Sequence, residues 1–103
     1  MGTMKKNGPE AKLLVVDDEP NIRELLSTSL RFAGFEVVSA ANGREALAAA
    51  ELHSPDLAVL DVMLPDMDGF TVTRRLRAAG KHFPVLFLTA KDDTEDKVMG
   101  LTV

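Results

Sequence analysis

The 103-residue sequence contains no cysteine and no apolar run long enough to cross a membrane. The lack of cysteine excludes disulfide bonds and thiolate metal sites, and it fits a reducing compartment. The first residues are polar and basic, so they lack the apolar region of a secretory signal peptide. Only two histidines are present, and neither has the spacing of a metal-binding motif. These absences predict a soluble cytoplasmic domain without a membrane partner.

Positive charge is also scarce, since the sequence has 12 Lys and Arg residues against 16 Asp and Glu residues, which gives a net charge of −4. Domains that bind nucleic acid by themselves are normally basic, so the composition argues against that function. The hydrophobic fraction of 46% and the charged fraction of 27% are typical of a globular protein. The length suits one domain. We predict a flexible tail over residues 1–11 and a single domain over residues 12–103.

Short apolar runs alternate with helical patterns along the chain. The runs read as strands, and they cover residues 13–16, 35–40, 57–60 and 85–88. Between them, apolar residues recur at helical spacing, as in Val72, Leu76 and Ala79, and a last helix is predicted to begin near Thr94. The order βαβαβαβα predicts an α/β fold with a parallel sheet, right-handed crossovers and helices on both faces.

Acidic residues follow two of these strands. Asp17, Asp18 and Glu19 come directly after the first strand, and Asp61 follows the third. Ligands bind at the carboxyl ends of the strands in such sheets, so these carboxylates are expected to share one pocket. Clustered carboxylates need protons or a cation, and oxygen ligands favour Mg²⁺ or Mn²⁺. The alternative is a solvated acidic loop with an Asp that caps the next helix. Thr89 follows the fourth strand. Its hydroxyl is expected either to donate a hydrogen bond to an anion at this pocket or to form a hydrogen bond with a nearby backbone group.

The segment between the third strand and the third helix invites a second metal hypothesis. Residues 66–69 read Asp-Met-Asp-Gly, as in a calcium-binding loop, but leucine and arginine occupy the first and last ligand positions. A turn in which Asp68 caps the third helix is therefore favoured. Met63 and Met67 flank this turn and are predicted to pack there.

Three segments, in this order and at this spacing, resemble the receiver domain of bacterial two-component response regulators: LLVVDDEPNIRELL, LDVMLPDMDGF and LFLTAKDD. The resemblance runs from about residue 12 to residue 103. It implies a flavodoxin-like sheet, with strand order 2-1-3-4 in this chain. The variants MLPDMDGF and DKVMGL resemble the subclass in which a winged-helix DNA-binding domain follows the receiver.

The resemblance also implies roles for individual residues. Asp61 matches the aspartate that accepts a phosphoryl group from a sensor histidine kinase, and Thr89 matches the switch hydroxyl. Asp18 matches the carboxylate that binds Mg²⁺ directly, and Asp17 matches its neighbour, which acts mostly through water. Together with Asp61, the backbone carbonyl of Met63 completes the implied metal site. The parent protein is expected to form a homodimer through the receiver and to reach DNA only through its other domain.

The family pattern continues with a fifth strand that ends in lysine and with a fifth helix, and this sequence stops before both. Slow phosphoryl transfer is therefore expected of this chain, and the fourth strand is expected to be an open edge that promotes self-association. Two other functions stay open: a receiver-like module that binds partners without phosphorylation, and a Mg²⁺-dependent phosphohydrolase. Such hydrolases usually carry an Asp two residues after the nucleophile, where this sequence has Met63. We therefore predict that the chain is not an enzyme.

Overall fold

A computed structural model describes residues 11–88 of the chain. The described elements are β1 (Lys12–Val16), α1 (Pro20–Phe32), β2 (Glu36–Ala40), α2 (Gly43–His53), β3 (Leu57–Asp61), α3 (Gly69–Ala78) and β4 (Val85–Leu88). Their strands form one parallel sheet in the order β2-β1-β3-β4, which confirms the predicted flavodoxin-like topology. The predicted tail up to residue 10, Thr89 and the helix near Thr94 lie outside the described residues. None of the described helices is long and apolar enough to cross a membrane.

The register of the central strands determines which residues meet at the carboxyl edge of the sheet. Val16 of β1 pairs with Leu60 of β3 in the parallel ladder. The next residues, Asp17 and Asp61, therefore lie at the same level on adjacent strands. The backbone N–H of Asp17 also donates to the Ala40 carbonyl at 3.2 Å, so β2 supports this end of β1. Backbone hydrogen bonds thus hold the two acidic residues side by side.

The hydrophobic core lies between the sheet and the helices α2 and α3. Ala46 and Ala50, four residues apart on α2, are fully buried, and their small side chains let the helix lie close to the sheet. The other members of this core are Leu14, Val16, Ala40, Ala58, Leu60, Val72, Leu76, Val85 and Phe87. Val16 and Leu60, which directly precede Asp17 and Asp61, belong to this core. The core therefore fixes the positions of the strand ends that carry the acidic residues.

Two helices differ from their apolar patterns. Apolar residues also recur at helical spacing in α1, between Ile22 and Leu30. The buried residue of this helix is nevertheless Ser27, whereas Leu25 is 65% exposed and Phe32 is 94% exposed. In α3 the expectation that Ala79 completes the apolar face is wrong, because the helix ends at Ala78 and Ala79 is exposed. The physical reason is Gly80, whose φ of +87° turns the chain out of the helix. Apolar spacing therefore locates both helices and correctly predicts the burial of Val72 and Leu76 in α3, but it does not predict burial in α1.

Candidate functional site

Three carboxylates meet at the carboxyl edge of the sheet. Asp17, Asp18 and Asp61 each offer an oxygen, and these oxygens lie within 4.8 Å of one another. Asp17 and Asp61 are buried, and Asp18 is exposed. Within the described part of the chain, this cluster includes three of the predicted carboxylates and leaves out Glu19. Groups of like charge at this separation favour a shared proton or a bound cation, and the set of hard oxygen donors fits a divalent ion such as Mg²⁺.

Asp17 is held in place by hydrogen bonds from the residue before α1 and from the first turn of that helix. Its Oδ1 accepts from the Glu19 backbone N–H at 2.9 Å, and its carbonyl accepts from Arg23 Nη1 at 2.8 Å. Burial raises the pKa of Asp17, the Glu19 hydrogen bond opposes this rise, and the charge of Asp18 adds to it. The residue that precedes α1 is Glu19, and no side chain caps that helix. The alternative of an Asp that caps the first helix therefore does not describe this loop.

Asp61 is the last residue of β3 and is only 3% exposed. Its Oδ1 accepts from the Met63 backbone N–H at 3.1 Å, which restricts rotation of the carboxylate. Burial raises the pKa of Asp61 to about 6, the Met63 hydrogen bond opposes the rise, and the charges of Asp17 and Asp18 add to it. Asp61 is thus a fixed carboxylate whose charge is costly unless a cation lies beside it.

The loop after Asp61 is closed tightly against β3. The Gly69 N–H donates to the Val62 carbonyl at 2.7 Å, and Met63 and Asp68 form an isolated antiparallel bridge. A Cβ placed on Gly69 would lie 2.6 Å from the Asp61 carbonyl oxygen, so this close approach requires glycine. The closure brings the backbone of Met63 next to the Asp61 carboxylate.

The family model for the response regulator receiver domain matches residues 13–103. This chain belongs to the response regulator receiver domain family. The match confirms the resemblance carried by the three sequence segments, and with it the predicted class of function, a receiver of a two-component system.

Curated relatives of this receiver domain are transcriptional regulators. The probable transcriptional regulatory protein TcrX of Mycobacterium tuberculosis is 48% identical over 98 residues, which are 95% of this chain and 42% of that protein. The alkaline phosphatase synthesis transcriptional regulatory protein PhoP of Bacillus subtilis is 53% identical over 90 residues, which are 87% of this chain and 38% of that protein. The chain therefore spans roughly two fifths of the length of these relatives. Their names agree with the predicted transcriptional subclass.

Solved structures of response regulators share the fold. The response regulator TrrA of Thermotoga maritima, crystallised in complex with Mg²⁺-BeF, gives a TM-score of 0.73 at 42% identity, over 79% of this chain and 70% of that one. The chemotaxis protein CheY4 of Vibrio cholerae gives a TM-score of 0.75 at 41% identity, over 82% of this chain and 72% of that one. The sheet order of the receiver domain is thus that of known receivers.

The turn before α3 confirms one prediction and corrects another. Asp68 Oδ1 accepts from the Thr71 N–H at 2.7 Å, so Asp68 caps α3 as predicted. Met67 is partly buried against the core, also as predicted. The same expectation for Met63 is wrong, because its side chain is 60% exposed. The backbone of Met63 pairs within the loop while its side chain faces solvent.

Two polar residues near the site were not identified from the sequence. Arg23 reaches back to the carbonyl of Asp17, and Asp66 binds the N-terminus of α2 through the backbone N–H groups of Gly43 and Arg44. From the sequence, Asp66 belongs only to the calcium-loop motif, which the residues at the ligand positions exclude. Its partners lie 22 and 23 residues away along the chain, so no local pattern marks the contact.

The raised pKa of Asp61 predicts a pH-dependent stability in metal-free buffer. The folded receiver holds this proton up to about pH 6, whereas the unfolded chain releases it near the ordinary pKa of about 3.9. The free energy of unfolding therefore decreases as pH rises through this window. Asp61→Asn removes the ionisation, so we expect the variant to be more stable than the wild type at pH 7, with little difference at pH 4. Urea unfolding with a chelator measures both, and a variant less stable at pH 7 would contradict the expectation.

Proposed function

We propose that this receiver domain accepts a phosphoryl group on Asp61 from the phosphohistidine of a sensor histidine kinase, in a reaction that requires Mg²⁺. The observation that carries the proposal is the buried Asp61 carboxylate within 4.8 Å of the oxygens of Asp17 and Asp18, at the end of β3. Membership of the receiver family supports the same chemistry.

The donor set supports Mg²⁺ as the cofactor. Asp18, Asp61 and the backbone carbonyl of Met63 would hold the ion, and Asp17 would act mainly through a bound water. All of these donors are oxygen atoms, which is the set that Mg²⁺ prefers. When bound, the ion would neutralise negative charge on the cluster and on the group being transferred. The complex of TrrA with Mg²⁺-BeF is a related precedent at 42% identity.

The chemical step forms one bond and breaks one bond at phosphorus. An oxygen of the Asp61 carboxylate attacks the phosphorus, and the bond to the histidine nitrogen breaks with its electron pair left on the imidazole. The Met63 N–H donates to Oδ1 of Asp61 and so fixes the orientation of the attacking carboxylate. Burial of Asp61 limits the access of water that would compete with transfer. The Thr89 hydroxyl would then donate a hydrogen bond to the new phosphoryl group.

The parent protein is a regulator whose output this phosphorylation switches. Its DNA-binding winged-helix domain would lie outside this chain, which spans 42% and 38% of two transcriptional regulators. A homodimer formed through the receiver would present two such domains to DNA. The protein would act in the cytoplasm, and the receiver would take part in transfer without being a turnover enzyme.

The proposal predicts complete loss of labelling in one variant. The full-length protein that contains this receiver is incubated with Mg²⁺ and a small acyl phosphate, and incorporated phosphate is counted. We expect Asp61→Asn to abolish labelling, because it removes the nucleophilic oxygen. Asp56→Asn is the matched control, since Asp56 precedes β3 at its opposite end and is exposed. We expect this control to label like the wild type.

Other results would favour the other functions. Labelling that survives in Asp61→Asn would contradict the assignment of Asp61. Release of many equivalents of inorganic phosphate per protein would indicate a phosphohydrolase. Kinase-independent partner binding by a wild-type protein that never becomes labelled would indicate an interaction module.

A further inference from the structure

One side chain ties the loop between β3 and α3 to a different helix. Asp66 lies three residues after Met63, and its Oδ1 and Oδ2 accept from the backbone N–H groups of Gly43 at 2.8 Å and Arg44 at 2.9 Å. Both N–H groups belong to the first turn of α2, where a helix has no intrahelical acceptors for them. Because each carboxylate oxygen has its own donor, the contact fixes the orientation of Asp66 as well as its distance. These hydrogen bonds also lower the pKa of Asp66, because they favour its charged form.

Residues around the start of α2 satisfy a further donor of this helix terminus, the Glu45 N–H. Asn42 Oδ1 accepts from the Glu45 N–H at 2.8 Å, and Glu45 Oε1 accepts from the Ala41 N–H at 2.8 Å. Asn42 is therefore the N-cap of α2, and the Glu45 carboxylate binds the backbone one residue before the cap. Asp66 therefore provides acceptors for the Gly43 and Arg44 N–H groups, which the Asn42 cap does not bind. The cap and the Asp66 contact act on the same helix end, and only the latter involves the loop.

A packing contact accompanies these hydrogen bonds. A Cβ placed on Gly43 would lie 2.5 Å from Cγ of Met67, so the Met67 side chain packs directly on the glycine. Met67 is also packed against the hydrophobic core. Two consecutive loop residues, Asp66 and Met67, thus attach the middle of the loop to the start of α2. The ends of the loop are attached separately, through β3 and α3.

We infer that Asp66 is a positioning residue that holds the Met63 carbonyl in place for the metal ion by anchoring their common loop to α2. The inference rests on the proposed Mg²⁺ site. Asp66 itself does not belong to the carboxylate cluster. Without the anchor the three carboxylates keep their positions at the ends of β1 and β3, while the loop that carries the Met63 carbonyl loses its hydrogen bonds to α2. The expected consequence is weaker Mg²⁺ binding in a receiver that is still folded.

The test compares two variants that act on the same helix terminus. Mg²⁺ affinity is measured by calorimetry on the full-length protein, for the wild type, Asp66→Ala and Asn42→Ala. We expect Asp66→Ala to weaken Mg²⁺ binding about tenfold, as is typical when support for a metal ligand is lost. We expect Asn42→Ala to lower stability and to leave Mg²⁺ affinity unchanged, because it removes a cap without touching the loop. Asp66→Asn keeps one carbonyl acceptor and is expected to lie between Asp66→Ala and the wild type.

Amide hydrogen exchange in metal-free buffer measures the hydrogen bonds between Asp66 and α2 without relying on Mg²⁺ binding. We expect the N–H groups of Gly43 and Arg44 to exchange faster in Asp66→Ala. An equal loss of Mg²⁺ affinity in Asp66→Ala and Asn42→Ala would overturn the inference, since helix stability alone would explain it. Unchanged Mg²⁺ affinity in Asp66→Ala beside a wild type that binds Mg²⁺ would overturn it too. A wild type that binds no Mg²⁺ would overturn the proposed function together with this inference.

Discussion

Replacement of Phe87 by alanine is expected to lower the free energy of unfolding by about 3–5 kcal/mol. Phe87 is fully buried in β4, and its ring centroid lies 4.8 Å from that of Phe70. The substitution removes the ring from the core and leaves a cavity beside β3. Domains of this size are typically stable by about 5–15 kcal/mol, so this loss is a large share of the total free energy of unfolding. Urea denaturation followed by circular dichroism measures the change, since the sequence has no Trp or Tyr for fluorescence.

Phe32→Ala is the matched control for this prediction. The same substitution is made there on a side chain that is 94% exposed at the end of α1. Surface substitutions of this kind usually change stability by less than about 0.5 kcal/mol. Equal losses for Phe87→Ala and Phe32→Ala would contradict the assignment of Phe87 to the core.

Gly69→Ala is expected to damage both folding and metal binding. Gly69 is the first residue of α3, and the added Cβ would lie 2.6 Å from the backbone oxygen of Asp61. The backbone that carries Asp61 has to move to admit this methyl group. Overpacking of this kind costs about 1–3 kcal/mol in stability. Because the shift falls on Asp61 itself, Mg²⁺ affinity is expected to decrease in the same variant.

Gly43→Ala provides the comparison, since Gly43 is the first residue of α2 just as Gly69 is the first residue of α3. The nearest atom to its added Cβ is Cγ of Met67, the end of a flexible side chain rather than backbone. Alanine is also the better helix former, by about 1 kcal/mol in a helix interior. We expect a smaller loss of stability than for Gly69→Ala, as measured by urea denaturation. A larger loss in Gly43→Ala would show that the loop, and not the Asp61 backbone, is the less tolerant region.

The positions of the strands and of the acidic edge could be predicted from the sequence because local rules determine them. An apolar run marks a strand buried on both faces, and alternation with helices makes the sheet parallel. The strand order implied by the receiver resemblance makes β1 and β3 neighbours, so residues that follow both strands must lie at the same edge. Asp17 and Asp61 therefore meet for reasons visible in the sequence, and the structure places their oxygens within 4.8 Å of each other.

Contacts that depend on tertiary placement could not be predicted in this way. Asp66 is an acidic residue in a polar turn, and only the approach of α2 provides its partners, Gly43 and Arg44. Apolar spacing in α1 does not reveal that Leu25 is 65% exposed, because burial depends on what covers the helix. The exposed side chain of Met63 has the same origin, since the pairing of its backbone decides where the side chain points.

Asp61 is the proposed acceptor of the phosphoryl group, and locating that group on the chain tests the assignment. The full-length wild-type protein is treated with an acyl phosphate and Mg²⁺, digested, and examined by peptide mass spectrometry. We expect one added phosphoryl group, on the Asp61 side chain, and none when a chelator removes Mg²⁺. A phosphoryl group on Asp17, Asp18 or any other residue, with Asp61 unmodified, would show that Asp61 is not the acceptor.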